Sequence, residues 1–167
     1  EDAERLNEIR EQLELIEDDA TFEEGVNYLT MAQYDKALDK LLPLTHKYEE
    51  WWNIFYLVGL AYKGLGEYEE AIEFLYSALD LGGLDVNVYN ELGICLYLVG
   101  DIKEAIDIFN KGIEGNDRDY CIIFNRGLAY LKLGLMDKAR KDIEKAYKLN
   151  PDNEVIKEHY LTIKNNL

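Results

Sequence analysis

The sequence predicts an all-α fold, a solenoid built from helix-turn-helix repeats, and three observations carry that expectation. Gly25, Gly59, Gly93 and Gly127 fall 34 residues apart. Ala37, Ala71, Ala105 and Ala139 repeat the same step, and Gly66, Gly100 and Gly134 repeat it again. A fixed period of this length denotes one small unit stacked on copies of itself, each burying its apolar face against a neighbour. Proline, which interrupts helices, occurs only as Pro43 and Pro151.

Along the chain, residues 1–17 carry Leu6, Ile9, Leu13 and Ile16 at spacings of three, four and three, a narrow apolar stripe on an acidic amphipathic helix. Three roles stay open for it: a cap on the first repeat, a filler of the groove formed by the repeats, or a self-association helix. Residues 18–51 fit the 34-residue frame through Gly25, Tyr28, Ala37 and Leu41. Thr21 and Ala32 stand there in place of a large residue and a turn glycine, so this is a degenerate first repeat. Residues 52–85, 86–119 and 120–153 each read as two amphipathic helices joined by a tight turn. In the second helix apolar residues return at three and four, as in Ala71, Leu75, Ala78 and Leu79, then Ala105, Phe109 and Ile113. Gly66, Gly100 and Gly134 end the first helix of each pair, and Asp85, Asp119 and Asp152 stand where a side chain caps the next one. Residues 154–167 begin one more helix, with Val155, Tyr160 and Ile163 apolar. No room remains for a second, so it caps the array.

Gly59, Gly93 and Gly127 lie inside helices, where glycine costs about 1 kcal/mol relative to alanine. Close approach of a neighbouring helix compensates, and Ala71, Ala105 and Ala139 are the expected small residues opposite them.

In phase with these positions run Phe55, Tyr89 and Ile123, then Tyr62, Leu96 and Tyr130, then Leu75, Phe109 and Ile143, then Ala78, Gly112 and Ala146. With them the chain resembles the tetratricopeptide repeat, strongly over residues 52–153. Pro151 matches the terminal proline of that pattern, whereas Gly83 and Asp117 do not. The resemblance implies a right-handed α-solenoid whose first helices line a concave face. Its peptide-binding groove is then lined by Asn53, Tyr56, Leu57 and Leu60, by Asn87, Asn90, Glu91, Ile94 and Tyr97, and by Phe124, Asn125 and Leu128. Phe22, Val26, Leu29, Lys63, Cys121 and Leu131 complete that face. Aromatic residues anchor apolar side chains, and the asparagine amides pair with a bound backbone. Relatives that hold the acidic tail of heat-shock chaperones use a basic clamp. The matching places here hold Phe22, Val26, Leu57, Asn87 and Glu91, or, one unit on, Tyr56, Leu60, Glu91, Cys121 and Asn125. Neither set contains lysine or arginine, so the expected partner is a protein or peptide segment of apolar to mildly basic character.

The charge excludes further classes. A net charge of −16 disfavours nucleic acid, whose phosphates require clustered Lys and Arg. The acids concentrate early: residues 1–24 hold eleven against Arg5 and Arg10, while residues 120–167 hold nine basic residues against six acidic ones. No apolar stretch reaches the ~20 residues of a membrane span, because the longest, 54–62, stops at Lys63. Cys95 and Cys121 form neither a zinc motif nor a disulfide framework, and with no signal peptide the expected location is cytoplasmic. The chain starts at Glu1, which leaves a longer parent protein and a removed leader open.

No catalytic constellation emerges. Adjacent acids such as Asp18 and Asp19 or Glu69 and Glu70 point to different sides of a helix and do not form an acid–base pair. The run Asn116, Asp117, Arg118 and Asp119 lacks the distal glutamate of a calcium loop and reads as an inter-repeat turn. Lys63, Gly64, Leu65 and Gly66 lack the lysine and hydroxyl that close a phosphate loop, and His46 and His159 have no diagnostic companion. The reading is a non-enzymatic adaptor with no cofactor and no metal. Two alternatives accompany it: a small acidic chaperone similar to the repeat chaperones of bacterial secretion systems, and the docking or regulatory domain of a larger enzyme.

Overall fold

The computed structural model describes residues 18–165, and within them every regular element is an α-helix. Helix α1 covers 18–30; α2 is Tyr34–Lys47, α3 Trp52–Leu65, α4 Tyr68–Asp80, α5 Val86–Val99, α6 Ile102–Gly115, α7 Tyr120–Lys132, α8 Met136–Leu149 and α9 Glu154–Asn165. The all-α helical-repeat class is therefore what the chain adopts. The stripe of Leu6, Ile9, Leu13 and Ile16 lies outside the described residues.

The helices pair by the same local chemistry each time. At the end of α5, Gly100 adopts a left-handed backbone with φ 101°, and the amide of Asp101 donates to the carbonyl of Leu96 at 2.9 Å. That six-residue closure satisfies carbonyls which the end of a helix leaves unbonded. Glu67 to Tyr62 at 3.0 Å and Leu135 to Tyr130 at 2.9 Å repeat it. Between α1 and α2 the amide of Gln33 closes on Tyr28 at 2.9 Å, but the left-handed residue is Ala32, φ 55°. The geometry survives the loss of the glycine there.

Capping follows the sequence at two of three places. The Asp85 carboxylate accepts from the amide of Asn87 at 2.8 Å, and Asp119 from the amides of Cys121 and Ile122 at 2.9 and 3.1 Å. Asp152 does not cap. Helix α9 begins at Glu154, so the residue before it is Asn153, whose side-chain oxygen accepts from the Ile156 amide at 3.1 Å.

The chain divides into two compact units, one closing at Leu81 and the other opening at Gly82. In the first, Ala37, Leu41, Leu44, Ile54, Val58 and Ala61 form a buried cluster, with Phe22, Tyr28, Leu57, Tyr62 and Phe74 packed on it. In the second, Val88, Leu92, Phe109, Ile122, Ile123 and Ile143 are the large buried side chains. Helix α9 seats on α8 by stacking Tyr160 on Tyr147 at 4.4 Å, and Ile156 is buried.

The helix-interior glycines face large side chains and not the alanines. A Cβ at Gly59 would lie 2.8 Å from Leu75, and one at Gly127 would lie 2.9 Å from Ile143. One at Gly25 would meet Leu41, and one at Gly93 would overlap the Phe109 ring. The alanines are fully buried one turn earlier in the same helices, and the backbone oxygens of Ala71 and Ala139 would lie 3.4 and 3.5 Å from a Cβ at Gly59 and Gly127. Each glycine thus makes the space that the following helix fills with Leu41, Leu75, Phe109 or Ile143.

Candidate functional site

In the second unit, helical spacing puts Asn90, Ile94 and Tyr97 on one face of α5, and Asn125 and Leu128 on one face of α7. These two helices touch, and between them opens a cavity of about 220 Å³ lined by Ile94, Tyr97, Leu98, Phe109, Asn125 and Leu128. Phe109 reaches it from α6 because Gly93 carries no side chain. The walls are almost wholly apolar, and Asn125 supplies the polar element.

The Asn125 amide donates to the side-chain oxygen of Asn90 at 2.9 Å. That single bond leaves the amide hydrogens of Asn90 and the oxygen of Asn125 without a protein partner among the described residues. Free amide N–H donors and a free amide oxygen beside an apolar hole are the complement of a peptide group that carries a bulky side chain.

Next to Asn125 on α7, the Arg126 guanidinium donates from Nε and Nη2 to both carboxylate oxygens of Asp142 on α8, and from Nη1 to Asn110 Oδ1 on α6 at 2.8 Å. The bonded carboxylate holds the Arg126 pKa above its ordinary value. The contact joins α6, α7 and α8. Sequence reasoning missed this tether. Its only signal is an arginine and an acid sixteen residues apart, one on each helix of a repeat.

The expected groove residues fare differently. Ile94, Tyr97, Asn125 and Leu128 line one cavity, and Asn90 is bonded to it. Glu91 is half-buried on the same helix. Asn87 is exposed, and its side-chain amide donates to Asp85 at 2.8 Å, so it belongs to the helix cap. Phe124 is 8% exposed, and its ring makes a T-shaped contact with His159 of α9, centroids 5.2 Å apart, so it packs inside the unit and is not among the side chains lining this cavity. In the first unit, Tyr56, Leu57 and Leu60 are half-buried, with Leu57 packed on the buried cluster, and Asn53 is exposed at the rim of a separate cavity. Among the described residues no three His, Cys, Asp or Glu side chains are placed to hold a metal ion, and no helix is long and apolar enough to cross a membrane.

The tetratricopeptide repeat family matches residues 53–81 and again residues 121–153. The chain is a tetratricopeptide-repeat protein. Among curated relatives of this tetratricopeptide-repeat chain, the BBSome complex member BBS4 of Bos taurus is 31% identical over 102 residues. The match takes in 61% of this chain but 20% of that relative, so the chain spans a fifth of its length. The solved structure of MamA superposes with a TM-score of 0.80 at 20% identity, covering 89% of this chain and 81% of that one. YrrB, described as a tetratricopeptide-repeat protein with an unusual peptide-binding site, gives 0.77 at 23% identity over 85% and 73%. At such identities the likeness is one of fold.

Proposed function

We propose that this tetratricopeptide-repeat protein is an interaction module without catalysis of its own, and that its second unit docks a segment of a partner protein. The observation that carries the reading is the apolar cavity of Ile94, Tyr97, Leu98, Phe109, Asn125 and Leu128, with the Asn90–Asn125 pair beside it. Its volume suits one large apolar side chain and falls below the ~300 Å³ at which small-molecule sites begin. Buried aromatic and aliphatic pockets of this kind supply most of the energy in peptide recognition. The peptide-binding site in the description of YrrB supports the same reading. No basic side chain lines the cavity, which disfavours an acidic tail as the guest.

The test selects peptides from a displayed random library on the intact chain, then measures the winners against Tyr97→Ala and Asn125→Ala. Selected sequences should share one large apolar residue. Each variant should lose roughly tenfold in affinity, worth about 1.4 kcal/mol, while its helical circular dichroism stays unchanged. Winners that lack such a residue, or that bind both variants as tightly as the native chain, rule the site out. Tyr56→Ala, in the first unit, is the control.

A further inference from the structure

A second cavity, built only from residues of the first unit, has different chemistry. The Tyr48 and Trp51 rings stack with centroids 4.5 Å apart and planes 28° apart. They border a space of about 110 Å³ together with Asp18, Asp19, Phe22 and Asn53, over a floor of Leu44 and Ile54. Trp51 is 52% exposed, an unusual position for so large an apolar ring. Three aromatic side chains and two carboxylates thus meet at one small opening.

Local bonding fixes this arrangement. The Asp18 carboxylate accepts from the Tyr48 hydroxyl at 2.5 Å and pairs with the Lys47 ammonium, which ties α1 to the end of α2 and orients the ring stack. Asp18 is therefore already partnered. Asp19, and Glu49 and Glu50 in the turn that carries Trp51, make no ion pair among the described residues. The charge around them is strongly one-sided. Residues 18–81 hold thirteen acids against four lysines, a net of −9, whereas residues 82–165 hold fourteen acids against twelve basic residues, a net of −2.

An aromatic face attracts a cation through its quadrupole, and tryptophan does so best. A purely apolar guest gives no role to the carboxylates. A metal ion would need three or more ligand side chains, which do not converge among the described residues. The planar guanidinium of arginine stacks on a ring and still offers its edge hydrogens to a carboxylate, a combination that the compact, strongly hydrated ammonium of lysine meets less well. We propose that this cavity receives the guanidinium of an arginine on a partner protein. The plane of that group lies on Trp51 and its edge faces Asp19, with the field of the first unit steering it in.

The test follows the Trp51 indole N–H of the intact ¹⁵N-labelled chain by NMR. The probe is a blocked Gly-Ser-Arg-Ser-Gly peptide, and its control carries citrulline, the neutral isostere of arginine. The arginine peptide should move the Trp51 signal saturably and bind about tenfold more tightly than the citrulline peptide. Followed through the backbone amide signals of the same spectra, Trp51→Leu and Asp19→Asn should each weaken binding about threefold or more, and Trp51→Phe should retain part of it. Equal binding of the citrulline peptide overturns the proposal, as does indifference to both Trp51→Leu and Asp19→Asn. A shift of the Trp51 signal in Arg5→Gln/Arg10→Gln without any peptide would identify the guest as the chain's own arginine and equally overturn it. Trp51→Leu and Asp19→Asn alter exposed side chains, and unchanged circular dichroism verifies that each variant remains folded.

Discussion

The guanidinium of Arg126 and the carboxylate of Asp142 meet in two parallel hydrogen bonds, Nε to Oδ2 at 2.7 Å and Nη2 to Oδ1 at 2.8 Å. Asp142 is 4% exposed, so its charge sits out of water and depends on that partner. Removing one member of a buried pair strands the other, at a cost of about 3 kcal/mol, whereas replacing both by apolar residues of similar volume is close to neutral. Arg126→Met should therefore lower the urea midpoint much further than Arg126→Met combined with Asp142→Leu. Equal losses in the single and the double variant would mean that the pair contributes nothing specific.

Gly93 supplies the space for Phe109, and Phe109 forms one wall of the second unit's cavity. In an exposed helix interior, glycine to alanine gains about 1 kcal/mol. Here the added methyl overlaps a buried ring, and overpacking costs about 1–3 kcal/mol. Gly93→Ala should destabilise the chain, and Phe109→Leu should recover part of the loss when combined with it. The measurement is thermal unfolding of the two single variants and the double. Stabilisation by Gly93→Ala alone would contradict the contact.

How far the sequence reveals this structure depends on which contacts are local. Gly66, Gly100 and Gly134, and the caps at Asp85 and Asp119, act within a few residues of themselves, and period and spacing sufficed to place them. What faces Gly93 is settled by how two helices cross, and that brings in Phe109 where periodicity suggested the smaller Ala105. The groove is similar. Asn125 and Leu128 reach the cavity, yet Phe124, one residue before and about 100° around the helix, turns under α9 and meets His159. The placement of α9 is set by the Tyr147–Tyr160 stack, which no spacing within α7 encodes. Asn90 and Asn125 bond across 35 residues, one off the repeat period, so reading strictly in register does not pair them.

Ala32 occupies the left-handed turn position between α1 and α2 with φ 55°. A residue with a Cβ pays about 1–2 kcal/mol in that conformation. Glycine removes the steric cost but adds up to ~1 kcal/mol of unfolded-state entropy. Ala32→Gly should raise stability by about 0.5–1 kcal/mol, and Gly100→Ala, in the equivalent turn after α5, should lower it by a similar amount. Urea unfolding of the two variants checks the opposite signs. Two changes of the same sign would show that the shared closure does not set the energy.

Asp18 links stability to acid. Hydrogen bonding to the Lys47 ammonium, and then to the Tyr48 hydroxyl, holds its carboxyl below the usual 3.8. A depressed folded-state pKa gives stability that is present above the unfolded value and is lost as pH falls through the folded one. The native chain should therefore exceed Asp18→Asn by less than about 1 kcal/mol, as an exposed pair does, near neutral pH. The difference should persist down to the ordinary carboxylate range and fade below it. Tyr48→Phe removes one of the two donors and so raises the folded-state value toward the ordinary one, so in that background the difference should be smaller and its fading should be complete at a higher pH. Unfolding by urea between about pH 2.5 and 7 measures both, and a difference that stays constant to the lowest pH would show that Asp18 acts through packing and not through its charge.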